Sequence, residues 1–227
     1  AGSDEEDATG YWRLGLRNEK GHQDSATIMN TNIAIYNNLI INTGFYIDSR
    51  NIQHIGNNSK VYFGHNTLVA GKTLETLLNV SHGSSTIGDG ILTGIMENNI
   101  FDRRQNPSAK IAISLSNNDQ FLLRNNLLPT NIEDTVKGPG DIYENNPGLV
   151  NSIIELDLVY PDIGPENFDI GALRAALDIN NYRLSQDSPA INAGSSGDGS
   201  NQTEIPELVR SQDYLKNSRV GVPDIGA

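Results

Sequence analysis

The sequence predicts an all-β chain folded as a right-handed parallel β-helix, a single-stranded solenoid with Asn-rich turns and a C-terminal capping segment. Three observations predict it: a short phrase carrying Asn-Asn recurs along the chain, strand-like alternation flanks the copies, and helical periodicity is hard to find before residue 170. The phrase runs Ile35-Tyr36-Asn37-Asn38-Leu39-Ile40, then Phe63-Gly64-His65-Asn66-Thr67-Leu68. It returns as Met96-Glu97-Asn98-Asn99-Ile100-Phe101 and Leu123-Arg124-Asn125-Asn126-Leu127-Leu128, with a degenerate fifth copy, Tyr143-Glu144-Asn145-Asn146-Pro147-Gly148. The second Asn stands at 38, 66, 99, 126 and 146, so the copies are 28, 33, 27 and 20 residues apart. Such periods suit a stack of similar supersecondary units.

Each element follows from the phrase. Apolar residues three before the second Asn, and at Ile33, Val61 and Phe121 five before it, give the period-two pattern of a strand. The Asn pair interrupts that pattern at a bend, because Asn tolerates left-handed backbone better than other non-glycine residues. Stacked on successive units, the Asn side chains can bond one another and the turn backbone, which satisfies polar groups that are costly to bury. A second strand set falls between the phrases at residues 45–47, 77–80 and 111–115, with Gly, Asn, Ser and Asp clustered between the sets. One further strand is expected at residues 12–16. The abundance of Asn and β-branched residues disfavours helix.

The chain divides into an N-terminal segment or partial cap (1–31), the β-helix coils (32–151), an inserted acidic excursion (152–179) and a closing segment of the same domain (180–227). The excursion carries Glu155, Asp157, Asp162, Glu166 and Asp169, with a helical turn or two expected at 172–177. Because the repeat is already running by Asn32, the chain reads as part of a longer β-helix in preference to a capped whole.

Composition bounds the function. A net charge of −12 opposes binding to nucleic acid or anionic membrane through bulk electrostatics. No apolar run approaches the ~20 residues that span a bilayer. Cysteine is absent, which excludes disulfides, thiolate nucleophiles and Cys-ligated metals. An acidic, Asn-rich surface suits Ca²⁺, and Asp157, Asp162, Glu166 and Asp169 are the candidate ligands.

The last third of the chain carries the most specific motifs. Asn146-Pro147-Gly148-Leu149-Val150 is followed, after the excursion, by Tyr182-Arg183-Leu184-Ser185-Gln186-Asp187-Ser188-Pro189-Ala190-Ile191-Asn192-Ala193-Gly194, and the sequence closes on Pro223-Asp224-Ile225-Gly226-Ala227. These phrases resemble the ending of bacterial secreted parallel β-helix proteins of the pectate-lyase-like, choice-of-anchor Q type, which are related to polysaccharide lyases. The resemblance implies a secreted or cell-surface, outer-membrane-associated protein whose partner is a polysaccharide or a cell-surface component. Within it, Ile225 is expected to return an apolar side chain to the last coil.

If such a protein is a lyase, it abstracts a proton beside a uronate carboxylate, using a base and an arginine, often with Ca²⁺. Asp102-Arg103-Arg104, with Lys110 shortly after, offers candidate catalytic residues, which stacking could bring near Arg124 and near Arg50 or His54. The strand position two before the second Asn should face outward, and it reads Tyr36, Gly64, Glu97, Arg124 and Glu144. A column of Tyr, acid and Arg suits stacking on and hydrogen-bonding to a sugar chain. The four histidines have no metal-ligand spacing, and His65, in place of the first Asn of a pair, is expected to serve the turn. With no assignable catalytic set, non-catalytic binding is the favoured function, and a uronate lyase or glycoside hydrolase is the alternative.

Overall fold

The structure, a computed structural model, describes residues 13–17, 31–48, 58–81, 91–115, 120–152, 178–194 and 224–226. The described residues form an all-β protein whose strands build three parallel sheets. Sheet 1 contains β1 (Arg13–Arg17), β4 (Gly44–Asp48), β7 (Thr76–Ser81) and β10 (Lys110–Ser114), paired in that order. Sheet 2 contains β2 (Thr31–Tyr36), β5 (Asn58–Gly64), β8 (Ile91–Glu97) and β11 (Gln120–Arg124). Sheet 3 contains β3 (Leu39–Ile41), β6 (Thr67–Val69), β9 (Ile100–Asp102), β12 (Leu127–Leu128) and β13 (Ile142–Tyr143). Up to β12, each strand pairs with the strands three before and three after it, so the Asn phrases straddle the corner between sheets 2 and 3. The strand expected at 12–16 is β1, and the set expected at 45–47, 77–80 and 111–115 supplies the rest of sheet 1.

One apolar core joins the three sheets. Phe45, Leu78, Val80 and Ile113 come to it from sheet 1, Val61, Phe63 and Met96 from sheet 2, and Ile40, Leu68, Phe101 and Leu128 from sheet 3. The alternation is visible in β10, where Ile111 and Ile113 are buried while Lys110 and Ser114 are exposed. Each large side chain removed from water contributes about 1.5–3 kcal/mol before the entropy of ordering is set against it. Gly94 sits where a Cβ would lie 2.2 Å from the Phe121 ring, so the missing side chain leaves room for that aromatic.

The corner chemistry follows the expected division of labour. The first residue of each pair adopts left-handed backbone: Asn37, His65, Asn98 and Asn125 have φ between 52° and 57°. The second extends its side chain along the stack. Asn38 Nδ2 donates to Asn66 Oδ1 at 2.9 Å, Asn66 Nδ2 to Asn99 Oδ1 at 3.0 Å, and Asn99 Nδ2 to Asn126 Oδ1 at 2.9 Å. Each of these amide oxygens also accepts the backbone N–H of the preceding rung.

The fifth rung is Asp141, which corrects the expectation of Asn146. Asn126 N–H donates to Asp141 Oδ1 at 2.7 Å and Asn126 Nδ2 does so at 3.3 Å, while Gly138 N–H donates to Oδ2 at 2.6 Å. Gly140, with φ 74°, stands in the left-handed position. The interval shortens to 15 residues because the chain takes a quicker route. In place of another sheet 1 strand, a 3-10 turn at Asp134–Val136 packs against β10 with Val136 buried. The next residues pass β11 so closely that a Cβ on Gly138 would meet the Leu123 carbonyl oxygen at 1.9 Å. Burial pushes the Asp141 carboxyl up from the usual carboxylate range, against the opposing pull of the hydrogen bonds from Asn126 and Gly138.

The described part of the C-terminal region lies along the outer face of sheet 3. Leu149, Tyr182, Ala190 and Ile225 join Val69, Ile100 and Leu127 in a second apolar core. Ile225 therefore does not return to the last repeat as expected. Its N–H donates to Ala190 O, and the next residue, Gly226, donates to Asn98 O at 2.7 Å, beside the middle repeats. Gly226 has φ 98°, and a Cβ there would lie 2.6 Å from Ile100 Cδ1, so glycine is required by both backbone and space. The reason is chemical: the outer face of sheet 3 presents Val69, Ile100 and Leu127, which need a cover.

Leu149 and Leu184 form an antiparallel bridge, and Asn151 N–H donates to Asn181 O at 2.7 Å. The chain thus enters and leaves the excursion side by side. Residues 153–177 lie outside the described residues, as do the helical turn expected at 172–177 and most of the segment 1–31.

Candidate functional site

On sheet 2 the strand alternation puts three rows on the face turned away from the core. One row is Lys60, Thr93 and Gln120, in register on β5, β8 and β11. The middle row is Ala34, Tyr62, Ile95 and Leu122. The third is Tyr36, Gly64, Glu97 and Arg124, which are four of the five residues expected to face outward. Register brings these four together.

The third row differs from a solvated column. Glu97 is only 1% exposed, and both carboxylate oxygens are engaged. Arg124 Nε donates to Oε2 at 2.7 Å, and the Tyr62 hydroxyl donates to Oε1 at 3.2 Å. Gly64 makes the second bond feasible, because a Cβ there would fall 2.2 Å from the Tyr62 hydroxyl oxygen. The expected exposed acid is therefore corrected to a buried ion pair under an aromatic ring. The cause is steric: the tyrosine of one rung leans across the glycine of the next row and covers the carboxylate. Tyr36 and Ile95 pack against Tyr62, which forms a small apolar cluster outside the main core.

Glu144 does not join the column. It is exposed, beyond the end of β13 on sheet 3, with its N–H donating to Leu128 O at 2.9 Å. The shortened fifth repeat explains this: no sheet 2 strand precedes the last rung among the described residues, so the position two before Asn146 has no counterpart there.

The candidate catalytic residues are dispersed. Arg103 is buried in the turn after β9, donating from Nη1 to Ala109 O at 2.6 Å and from Nη2 to the backbone and side-chain oxygens of Asn131. Burial lowers the pKa of its guanidinium from the usual arginine value. Arg104 turns to the other side. Its Nε lies 3.1 Å from both oxygens of Asp102, Nη2 bonds Asp102 Oδ2 at 2.8 Å and also Ser152 Oγ, and Nη1 reaches Asn146 Oδ1 at 2.9 Å. Ser152 Oγ donates in turn to Asp102 Oδ2. Tyr182 lies near this group, and burial followed by the Asp102 charge pushes its phenol upward.

Lys110 opens β10 on sheet 1 and is exposed, whereas Arg124 faces Glu97 on sheet 2. The expected convergence of Arg103, Arg104 and Lys110 on Arg124 therefore does not occur, because consecutive corners turn these side chains toward different sheets. Arg50 and His54 lie outside the described residues. So do the calcium candidates Asp157, Asp162, Glu166 and Asp169; among the described residues no group of three or more His, Asp or Glu side chains gathers. His65 occupies a left-handed corner, is buried, and hydrogen-bonds through Nε2 to Asn98 Nδ2 at 3.1 Å, as a turn residue should.

Sequence reasoning missed Tyr62, Ser152 and Tyr182. Tyr62 alone had a signal, since it precedes Phe63-Gly64 at the one rung with no side chain in the outer row. Taken together, these features define an all-β protein of three parallel sheets with an Asn ladder and a sheet-borne Tyr-Glu-Arg cluster. No protein-family model, curated protein or solved structure matches the chain.

Proposed function

We propose that the chain folds as a right-handed parallel β-helix of the pectate-lyase-like, choice-of-anchor Q type, secreted or held at the cell surface, which binds polysaccharide without catalysis. Support for the β-helix comes from the pairing of strands three apart over four successive repeats and from the polar ladder at one corner. The observation that carries the non-catalytic reading is the employment of the charged side chains. Arg103 holds a turn, Arg104 and Asp102 fasten the C-terminal region to sheet 3, and Arg124 and Glu97 satisfy each other. These groups hold the scaffold in shape, which suits a rigid display surface more than proton transfer.

Affinity electrophoresis of the chain against alginate, pectin, chondroitin and neutral plant glucans and xylans tests the reading. Retardation by at least one glycan is expected, with no rise in ultraviolet absorbance from unsaturated uronate products. Release of such products, abolished by Arg103→Ala or Lys110→Ala, would replace binding by a lyase activity. Retardation by none would leave surface contact through protein partners as the function.

A further inference from the structure

The middle row of the outer face of sheet 2 is apolar across four strands. Ala34, Tyr62, Ile95 and Leu122 stand in register, with Ala34 and Leu122 exposed, the latter at 41%, Ile95 half-buried, and Tyr62 buried between them under Tyr36 and Ile95. On one flank runs a polar row, Lys60-Thr93-Gln120, and on the other stand Tyr36 and Arg124, with Glu97 buried between them. Neighbouring strands set these side chains ~4.8 Å apart in the stacking direction.

An extended polysaccharide has a matching form. The faces of its pyranose rings carry C–H groups and are apolar, while their edges carry hydroxyls, and one sugar advances by about the spacing of one strand. Laid across the strands, such a chain sets ring faces on the apolar row and hydroxyls on the two polar rows.

Charge narrows the class. A polyuronate brings one carboxylate per sugar and needs a cation at nearly every rung. This face has Lys60 on one strand and Arg124 on another, and Arg124 already lies 2.7 Å from the Glu97 carboxylate. The chain as a whole has a net charge of −12, which adds long-range repulsion.

We infer that the outer face of sheet 2 is a binding track for an uncharged, extended polysaccharide running across the strands, with its sugar faces on Ala34, Ile95 and Leu122. The inference rests on the polysaccharide-binding reading and assigns it a place and a ligand class.

Isothermal titration calorimetry of the whole chain with xylo- and cello-oligosaccharides, and with oligogalacturonate of matched length, provides the test. The neutral oligosaccharides should bind and oligogalacturonate should not. Leu122→Arg and Ala34→Arg, both at exposed positions, should each weaken neutral binding by about tenfold, equivalent to ~1.4 kcal/mol. Val150→Arg, at a position 58% exposed and away from sheet 2, should leave it unchanged. Failure of every glycan to bind would overturn the inference together with the reading it rests on. Binding that survives Leu122→Arg and Ala34→Arg, or falls equally with Val150→Arg, would overturn the track and leave polysaccharide binding in place. Preference for oligogalacturonate would overturn the ligand class alone.

Discussion

Asn99 is the rung on which the ladder can be tested quantitatively. The residue is fully buried, and its side chain takes part in five hydrogen bonds. The amide oxygen accepts from the backbone and side chain of Asn66, and the amide nitrogen donates to Phe63 O, Glu97 O and Asn126 Oδ1. Asn99→Ala removes all five and leaves the Asn66 backbone N–H without its acceptor in a site that water does not reach. A buried donor or acceptor left without a partner costs about 1–3 kcal/mol, and the substitution creates at least two such groups. A loss of roughly 3–5 kcal/mol is expected, a large share of the ~5–15 kcal/mol that stabilises a typical domain.

Asn38→Ala is the internal control. Asn38 is exposed at the first described rung of the ladder, where water can replace its bonds to Tyr36 O and Asn66 Oδ1, so its loss should cost about 0.5–1 kcal/mol. Equilibrium urea unfolding followed by far-ultraviolet circular dichroism gives both numbers from shifts in midpoint at constant slope. Equal costs for the two variants, or a cost below about 1 kcal/mol at Asn99, would refute the view that the ladder stabilises by satisfying buried groups.

Three further perturbations probe other parts of the molecule. Gly64→Ala should displace the Tyr62 ring, break its bond to Glu97 and destabilise by about 1–3 kcal/mol; an unchanged melting temperature would show that the tyrosine moves aside without penalty. Arg104→Ala should loosen the fastening of residues 146–152 and speed amide hydrogen exchange there and around Tyr182, with exchange in β5 and β8 unaffected. Equal acceleration everywhere would point to global destabilisation instead. Asp141 supplies a pH test. Its folded-state pKa is raised by burial, so its stabilising contribution is full below the unfolded carboxylate range and declines as pH rises through the folded value. The gap in urea midpoint between the parent chain and Asp141→Asn should therefore move in the parent's favour on acidification from neutral pH toward about 4. A gap that stays constant or moves the other way would contradict the direction of the shift.

The class of the fold was legible because the information is local. An Asn pair breaking a period-two run marks a bend wherever it occurs, and four such marks at intervals of 27 to 33 residues specify repeated strands. Parallel pairing follows, since strands separated by that much chain and two intervening strands run in the same direction. The last repeat was misread for an equally physical reason. Tyr143-Glu144-Asn145-Asn146 has the look of the phrase, yet the ladder requires an acceptor beside a left-handed residue, and Gly140-Asp141 meets that need as well as Asn-Asn does. A carboxylate also suits the end of a run in which every amide nitrogen donates onward: it accepts from Asn126 and Gly138 and has no donor of its own to place.

The site was less legible, because its contacts join residues far apart in the chain. Glu97 meets Tyr62 across 35 residues and Arg124 across 27, and Asp102 meets Ser152 across 50. The outward row could be read from alternation once the repeat was found, and its four members do lie in register on sheet 2. What alternation cannot give is depth. Glu97 faces away from the core yet is as buried as the core residues, because Gly64 leaves space into which Tyr62 leans. Glycine in an otherwise bulky outer row is thus the sequence feature that distinguishes a covered ion pair from a solvated one. It also gives the row its present chemistry: Glu97 and Arg124 are turned toward each other, with the Tyr62 hydroxyl on the remaining carboxylate oxygen.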